Sequence, residues 1–369
     1  MFKKTCSAIL ALILFVSMCL PVSALESQKQ SLEIHVLTEP VPSEVYSHVQ
    51  TTIAGMVSDL YDLSAVKLGT PFKVYGSYYD LYYFVIYCSD KAVGTYRVFE
   101  TENGYTGIFS ESTEIINKLS QIPRASQSTP AKITAGNHDD LYAVVGSNIY
   151  SIHEDPAGII TQQSDLLTRA NESRSAAVVN ISDAISFNIP ENSTRSVPTY
   201  LFLQIGYPET QGSSQNWCNA YCTASILRYK TGASVSSINA QSIMQWAYPN
   251  LSGSSLAAKA LTTTQADNYA NTHGINPTYT ASTRTYTQVT TEIKSDNPLI
   301  FICDNVNTGA KKAHAFVCRG YNDNNGNSFY SVWNPWYTTY ERIYTSDLTY
   351  VNSAGTERYL WSATMYDWD

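Results

Sequence analysis

The chain predicts an α+β fold in two successive segments, and three observations carry that reading. Helical spacing near the N-terminus gives way to closely spaced strands, a proline-punctuated polar stretch follows at about 185–198, and beyond it helices come first and strands last. With 369 residues and a hydrophobic content of 44%, the chain is long enough to bury two cores.

Met1-Phe2-Lys3-Lys4, an apolar run from Ala8 to Leu20, and Pro21-Val22-Ser23-Ala24 form an export signal with a small-residue cleavage site. Residues 1–24 are therefore expected to be removed and the product to be secreted and extracellular. Met18 stands where a lipoprotein signal needs a small residue before Cys19, which argues against a lipid anchor. From Ser43 to Leu63, the spacing of Val45, Val49, Ile53, Met56, Val57 and Leu60 predicts an amphipathic helix. Strands are predicted at Phe72–Tyr75, Leu81–Cys88, Ala92–Glu100 and Tyr105–Ser110, with a further strand-rich tract from Leu141 to Ile152.

The stretch Ile189-Pro190-Glu191-Asn192-Ser193-Thr194-Arg195-Ser196-Val197-Pro198 has the composition of an exposed connector, with Arg195 a natural cleavage point. After an extended run from Tyr200 to Ile205, a helix is predicted from Cys218 to Thr231-Gly232, where glycine ends it. Further helices are predicted at Ser237–Trp246, Ser255–Asn271 with a break, and Tyr286–Ser295. Strands close the chain at Leu299–Asp304, Ala313–Tyr321, Phe329–Trp333 and Tyr359–Met365, with Asn322–Asn327 as a turn.

Composition excludes some functions. The 23 basic and 31 acidic residues give a net charge of -8 with no Lys/Arg cluster, which speaks against nucleic acid and against an anionic membrane surface. No segment after the signal is long and apolar enough to span a bilayer. Of the seven cysteines, Cys6 and Cys19 lie in the signal and Cys88 in the N-terminal half, which leaves Cys218, Cys222, Cys303 and Cys318. Cys303 and Cys318 sit in apolar strands as buried thiols, and spacing alone does not decide whether they are bonded. Cys218 and Cys222 lack the second ligand pair that a zinc site needs. No metal or organic cofactor is implied.

Four residue types in the C-terminal half point to chemistry. Cys218 lies at a helix start, where the partial positive charge favours a thiolate. Only His273 and His314 follow the connector. His273 ends a helix, where a histidine commonly meets exposed carbonyls, whereas His314 sits in the apolar strand Ala313-His314-Ala315-Phe316-Val317-Cys318 and needs partners for its ring nitrogens. Two strands joined by the Asn322–Asn327 turn would bring Asn334 to that ring, with Trp336 covering the hydrogen bond. Gln211 and Gln215 are both placed to donate to an oxyanion. A buried thiol, a satisfied core histidine, an aromatic turn and a polar loop are the ordinary readings of each feature taken alone.

Taken together, Gln211-Gly212, Trp217-Cys218, His314 and Asn334-Pro335-Trp336 resemble a papain-like cysteine peptidase of the staphopain type over residues 200–369. The resemblance implies a papain-like two-layer catalytic domain, a helical half plus an antiparallel sheet half, at 199–369. It implies Cys218 as nucleophile, His314 as general base and acid, Asn334 as orienter and Gln211 as oxyanion donor. It also implies that residues 25–198 are an α+β propeptide domain acting as an intramolecular inhibitor, and that the substrate is a polypeptide. One departure is an extra residue between Gln211 and Cys218, so the loop must bulge or Gln215 must take over. Cys222 has no obvious counterpart. Two rival readings remain: a cell-wall amidase or peptidase on the same thiol–imidazole core, and an inactive secreted binding protein whose 28 tyrosines would form a contact surface.

Overall fold

Runs of tyrosine, valine and isoleucine build most of the frame, because β-branched and aromatic side chains fill a pleated surface. The computed structural model describes residues 33–122, 128–154, 161–171, 176–185, 199–212, 214–307, 313–323 and 327–369. The export signal, the connector and the middle of the Asn322–Asn327 turn lie outside the described residues. Residues Ile34–Asp369 form one compact unit.

The N-terminal half carries β1 (His35–Thr38), α1 (Ser43–Val57), β2 (Val66–Gly69), β3 (Phe72–Val74), β4 (Leu81–Cys88), β5 (Lys91–Thr101) and β6 (Gly104–Ser110). It continues through α2 (Glu114–Ser120), β7 (Lys132–Ala135), β8 (Leu141–Val145), β9 (Asn148–His153), α3 (Gln163–Asn171), β10 (Ala177–Asn180) and β11 (Ala184–Ile185). The C-terminal half opens with β12 (Thr199–Phe202), α4 (Cys218–Thr231), α5 (Ala240–Ala247), α6 (Gly253–Ala257), α7 (Thr263–Asn271), β13 (Thr278–Thr280) and α8 (Tyr286–Lys294). It closes with β14 (Leu299–Asn305), β15 (Ala313–Asp323), β16 (Phe329–Trp333), β17 (Tyr340–Tyr344), β18 (Thr349–Val351) and β19 (Arg358–Tyr366).

The large sheet runs in the order β11-β2-β4-β5-β6-β17-β16-β15-β14-β19-β13 and crosses from one half to the other at β6 and β17. There Ser110 lies opposite Glu341, Phe109 opposite Arg342 and Ile108 opposite Ile343, antiparallel. Strand β12 lies along β15, with Phe202 opposite Gly320. A Cβ at Gly320 would stand 2.3 Å from the Leu201 carbonyl oxygen, so only glycine lets these strands approach.

Two apolar clusters follow from this arrangement. In α1 the stripe Val45, Val49, Ile53 and Met56 packs on Phe84, Tyr96 and Phe109, and Phe329 and Tyr344 of the C-terminal half join the same cluster. The second cluster joins Phe72, Tyr83 and Phe99 with Trp333, Val332 and Tyr350, and runs on to Ala220, Ala224 and Leu227 of α4. Burying each large side chain contributes about 1.5–3 kcal/mol, so both halves draw stability from shared apolar surface.

The first predicted helix is shorter than expected, the Ser237–Trp246 prediction begins at Ala240, and the expected break within Ser255–Asn271 is present. The first ends at Val57 rather than Leu63, where a short 3₁₀ turn at Leu63–Ala65 is capped by Asp62. The stretch from Ser255 to Asn271 divides into α6 and α7, because Thr262 and Gln265 form a capping box that starts a new helix. β17 and β18 were not legible in the sequence, and β17 makes the crossing. Behind it Arg342 is fully buried, its Nη2 2.8 Å from Asp59 Oδ2 while Nη1 bonds Asp59 Oδ1 and the Met56 carbonyl. Removing one partner of a buried ion pair costs about 3–5 kcal/mol, because the other charge is left without compensation. Asp59→Ala leaves Arg342 with Glu111 Oε1 at 3.6 Å and should therefore lower the unfolding free energy of the full chain by up to about that amount in urea titration; a loss under ~1 kcal/mol would show that the pair does not hold the halves together.

Candidate active site

Helix α4 begins at Cys218, with Trp217 before it and no side-chain cap, so free amides and the helix dipole point toward the thiol. It ends at Gly232 in the left-handed conformation, whose N–H donates to the Arg228 carbonyl at 2.9 Å. Every residue from Asn219 to Arg228 is buried, so the helix is enclosed by the core rather than lying on it with one stripe. Trp217 Nε1 donates to the Leu256 carbonyl at 3.2 Å and Asn219 Nδ2 to the Leu261 carbonyl at 3.1 Å, which hold the first turn against the helical layer.

The backbone amide of Ala315, the residue after His314, acts on the half-buried Cys218 thiol and favours its thiolate form. Helix start and strand β15 thus meet at the thiol. His314 is 3% exposed, and its Nε2 lies 2.9 Å from Asn334 Oδ1. The indole of Trp336 stacks on the imidazole with ring centroids 3.9 Å apart, and Phe316 meets its edge at 4.7 Å. Asn334 is fully buried at the end of β16 and is fixed twice more: Oδ1 accepts from the Trp336 amide at 3.0 Å, and Nδ2 donates to Tyr350 Oη at 2.9 Å.

The loop before α4 has the bulge that its extra residue requires. Ser214 takes a left-handed φ of 62°, and the Gln215 side chain turns back, its Oε1 accepting from the Gly212 amide at 3.0 Å and from Tyr221 Oη at 2.9 Å. The side-chain oxygen of Gln215 is thereby engaged in holding the loop. Gln211 is 8% exposed; its amide N–H donates to the Pro335 carbonyl at 2.8 Å, and its Nε2 bonds the Gln215 carbonyl. A carboxamide nitrogen has two hydrogens, so one remains for another acceptor.

The structure brings Cys218, His314, Asn334 and Gln211 to one region and leaves His273 out, exposed at the end of α7 with Nδ1 3.1 Å from the Tyr269 carbonyl. Cys222, Cys303 and Cys318 are buried free thiols, and in the β14–β15 register Cys303 lies opposite His314 and Cys318 opposite Leu299. Sequence reasoning missed the support behind Asn334. Tyr350 donates to Glu341 Oε2 at 2.7 Å, and Glu341 Oε1 pairs with Arg97 Nη1 of the N-terminal half at 2.7 Å. A cavity of about 450 Å³ lies beside this chain, lined by Arg97, Glu114 and His153 from one half and Gln211, Trp336 and Glu341 from the other.

Electrostatics leave the thiol and the imidazole neutral here. Burial raises the Cys218 thiol, opposed by the amides of Ala315, Asn219 and Cys218 itself. Burial lowers His314 to about 4, against the Asn334 hydrogen bond and the Asp139 charge. His153 is different: burial pulls it down, but Asp139 and Glu114 outweigh that and hold it at about 9.

Helix first and sheet second, with a thiol at the helix start and an imidazole held by an asparagine, is the make-up of a cysteine peptidase. Residues 203–368, a little under half of the chain, match the family described as Staphopain peptidase C47. An extracellular cysteine protease of Staphylococcus epidermidis is 28% identical over 133 residues, 35% of this chain and 74% of that protein. For another protein of the same name from that species the match covers 32% of its length. Staphopain B of Staphylococcus aureus is 22% identical over 361 residues, 92% of this chain and 90% of its own.

The two histidines give the folded chain a pH optimum. His314 lies below its unfolded value of about 6.5, so its burial costs stability as pH falls from there toward 4, a limb shared with His48, also lowered to about 4 by burial. His153 lies above that value, so its contribution is complete below about 6.5 and lost as pH rises through 9. Urea midpoints measured from pH 4 to 9 should therefore peak near neutrality, and His153→Gln should flatten the alkaline limb; an unchanged alkaline limb in that variant would contradict the assignment.

Proposed function

We propose that this chain is the latent precursor of an exported cysteine endopeptidase. Cys218 attacks the carbonyl carbon of a peptide bond after giving its proton to His314. The oxygen gains negative charge, stabilised by the Cys218 amide and the remaining hydrogen of Gln211 Nε2. As the C–N bond breaks, the imidazolium returns its proton to the leaving amine, and a thioester is left on Cys218. Water, deprotonated by His314, then hydrolyses the thioester and restores the thiol. Asn334 keeps the ring's Nε2 engaged, so that Nδ1 is the nitrogen left for proton transfer.

The observation that carries this reading is that His314, on the strand against which the helix begun by Cys218 packs, bonds Asn334 Oδ1 through its Nε2. Latency is supported by the N-terminal half. Strand β6 extends the sheet at β17, and charges are exchanged across the contact: Arg97 pairs with Glu341, and Asp59 with Arg342. Asp139 Oδ1 also accepts from the Ala354 amide at 3.0 Å, and Oδ2 from Tyr337 Oη. Residues 25–198 are thus the inhibitory propeptide in this reading, released by cleavage near Arg195 after removal of residues 1–24 on export. The names of the extracellular relatives support the location.

Cys218→Ala should abolish hydrolysis of a denatured protein and, if processing is autocatalytic, leave the chain at full length on a gel. His314→Ala should lower kcat/KM by at least ~10²-fold, the scale of general base catalysis. Undiminished hydrolysis by the Cys218→Ala protein would overturn the proposal.

A further inference from the structure

Resting on the peptidase reading, we infer that Glu341, the Val351 carbonyl and the Tyr350 ring form a binding site for an arginine or lysine side chain of the substrate, which Arg97 fills in the precursor. Every polar partner of Arg97 that fixes its guanidinium belongs to the C-terminal half. Nη1 donates to Glu341 Oε1 at 2.7 Å, Nε donates to the Val351 carbonyl at 3.0 Å, and the guanidinium carbon lies 5.2 Å from the centre of the Tyr350 ring. Nη2 has no hydrogen-bond partner among the described residues, so the site is a two-acceptor cradle that a lysine ammonium also satisfies.

The cradle stays when its occupant leaves. Glu341 is 1% exposed, and its second oxygen is already committed to Tyr350 Oη at 2.7 Å, so Oε1 remains aimed at the vacated space. Among the residues that line the adjoining cavity from the C-terminal half, Glu341 is the single charged one, and Arg97 is the single Lys or Arg in the whole lining. A carboxylate enclosed in protein and deprived of its cation is costly, so the matured enzyme gains by taking up another. Gln211 and Trp336 line the same cavity, which puts the cradle within the reach of a substrate bound at the thiol. Tyr350 Oη in turn accepts from Asn334 Nδ2, so an arriving cation is felt one hydrogen bond away from the residue that holds His314.

The test uses the full chain matured by cleavage within 186–198 and a peptide set in which arginine is moved through each position on both sides of one scissile bond. Each peptide is paired with its citrulline counterpart, which keeps shape and removes charge. At one position arginine should raise kcat/KM over citrulline by about tenfold or more, the scale of a charge-assisted hydrogen bond. In Glu341→Gln the ratio at that position should fall to near one, whatever the variant does to both rates through Tyr350 and Asn334. Equal rates for arginine and citrulline at every position in the unaltered enzyme would overturn this inference and leave the peptidase reading intact. Absence of cleavage of either series would overturn both.

Discussion

A buried run of polar side chains, Arg97, Glu341, Tyr350, Asn334 and His314, joins the two halves of this molecule and ends on the imidazole. Its links measure 2.7, 2.7, 2.9 and 2.9 Å, and none of its members is more than 3% exposed. In such surroundings each group must find its partner or bear the full cost of desolvation. Through Arg97 the N-terminal half is therefore tied to the group of residues that carries the histidine. The shared sheet and shared apolar clusters supply the rigidity that lets the run hold its geometry.

The same enclosure sets the protonation of the site. Burial raises the Cys218 thiol and lowers His314, so in the full chain the nucleophile and base of the proposed mechanism are both uncharged. Taking up a thiolate–imidazolium pair requires water or substrate to reach these groups, and in the proposed reading the N-terminal half limits that access, with Arg97, His153 and Glu114 along the neighbouring cavity. Latency in this account is a matter of dielectric and access, with the side chains of the site already in position. The fixed orientation of His314 needs no rearrangement on maturation, since Asn334 draws its other contacts, from Tyr350 and the Trp336 amide, within the C-terminal half.

Much of this was legible in residue order, and the remainder depends on distant partners. Leu81–Cys88 and Phe329–Trp333 are strands with the bounds that their β-branched and aromatic content predicts, and α4 runs from Cys218 to its terminating glycine. His314 and Asn334 were traceable because neighbouring strands joined by a short turn place them together, a local argument. Glu341 and Tyr350 were not. Tyr340-Glu341-Arg342-Ile343-Tyr344 puts two adjacent charges in a short strand, a pattern that by itself reads as exposed. Their burial is made possible by Arg97 and Asp59, 244 and 283 positions away, and no periodicity in one sequence reports such a pairing. The shape of the loop that carries Gln211 and Gln215 likewise depends on the backbone of Ser214, whose left-handed φ has no marker in a serine.

The central claim of the proposed reading is that the N-terminal half limits access to a ready-built thiol and imidazole, which burial keeps uncharged. Its most direct test is the rate of Cys218 alkylation by iodoacetamide across pH 5–10, followed by mass spectrometry on the full chain before and after cleavage within 186–198. The account predicts slow labelling of the intact chain that rises only at alkaline pH, and fast labelling of the cleaved chain with a plateau already reached in the mildly acidic range. Identical profiles before and after cleavage would contradict it.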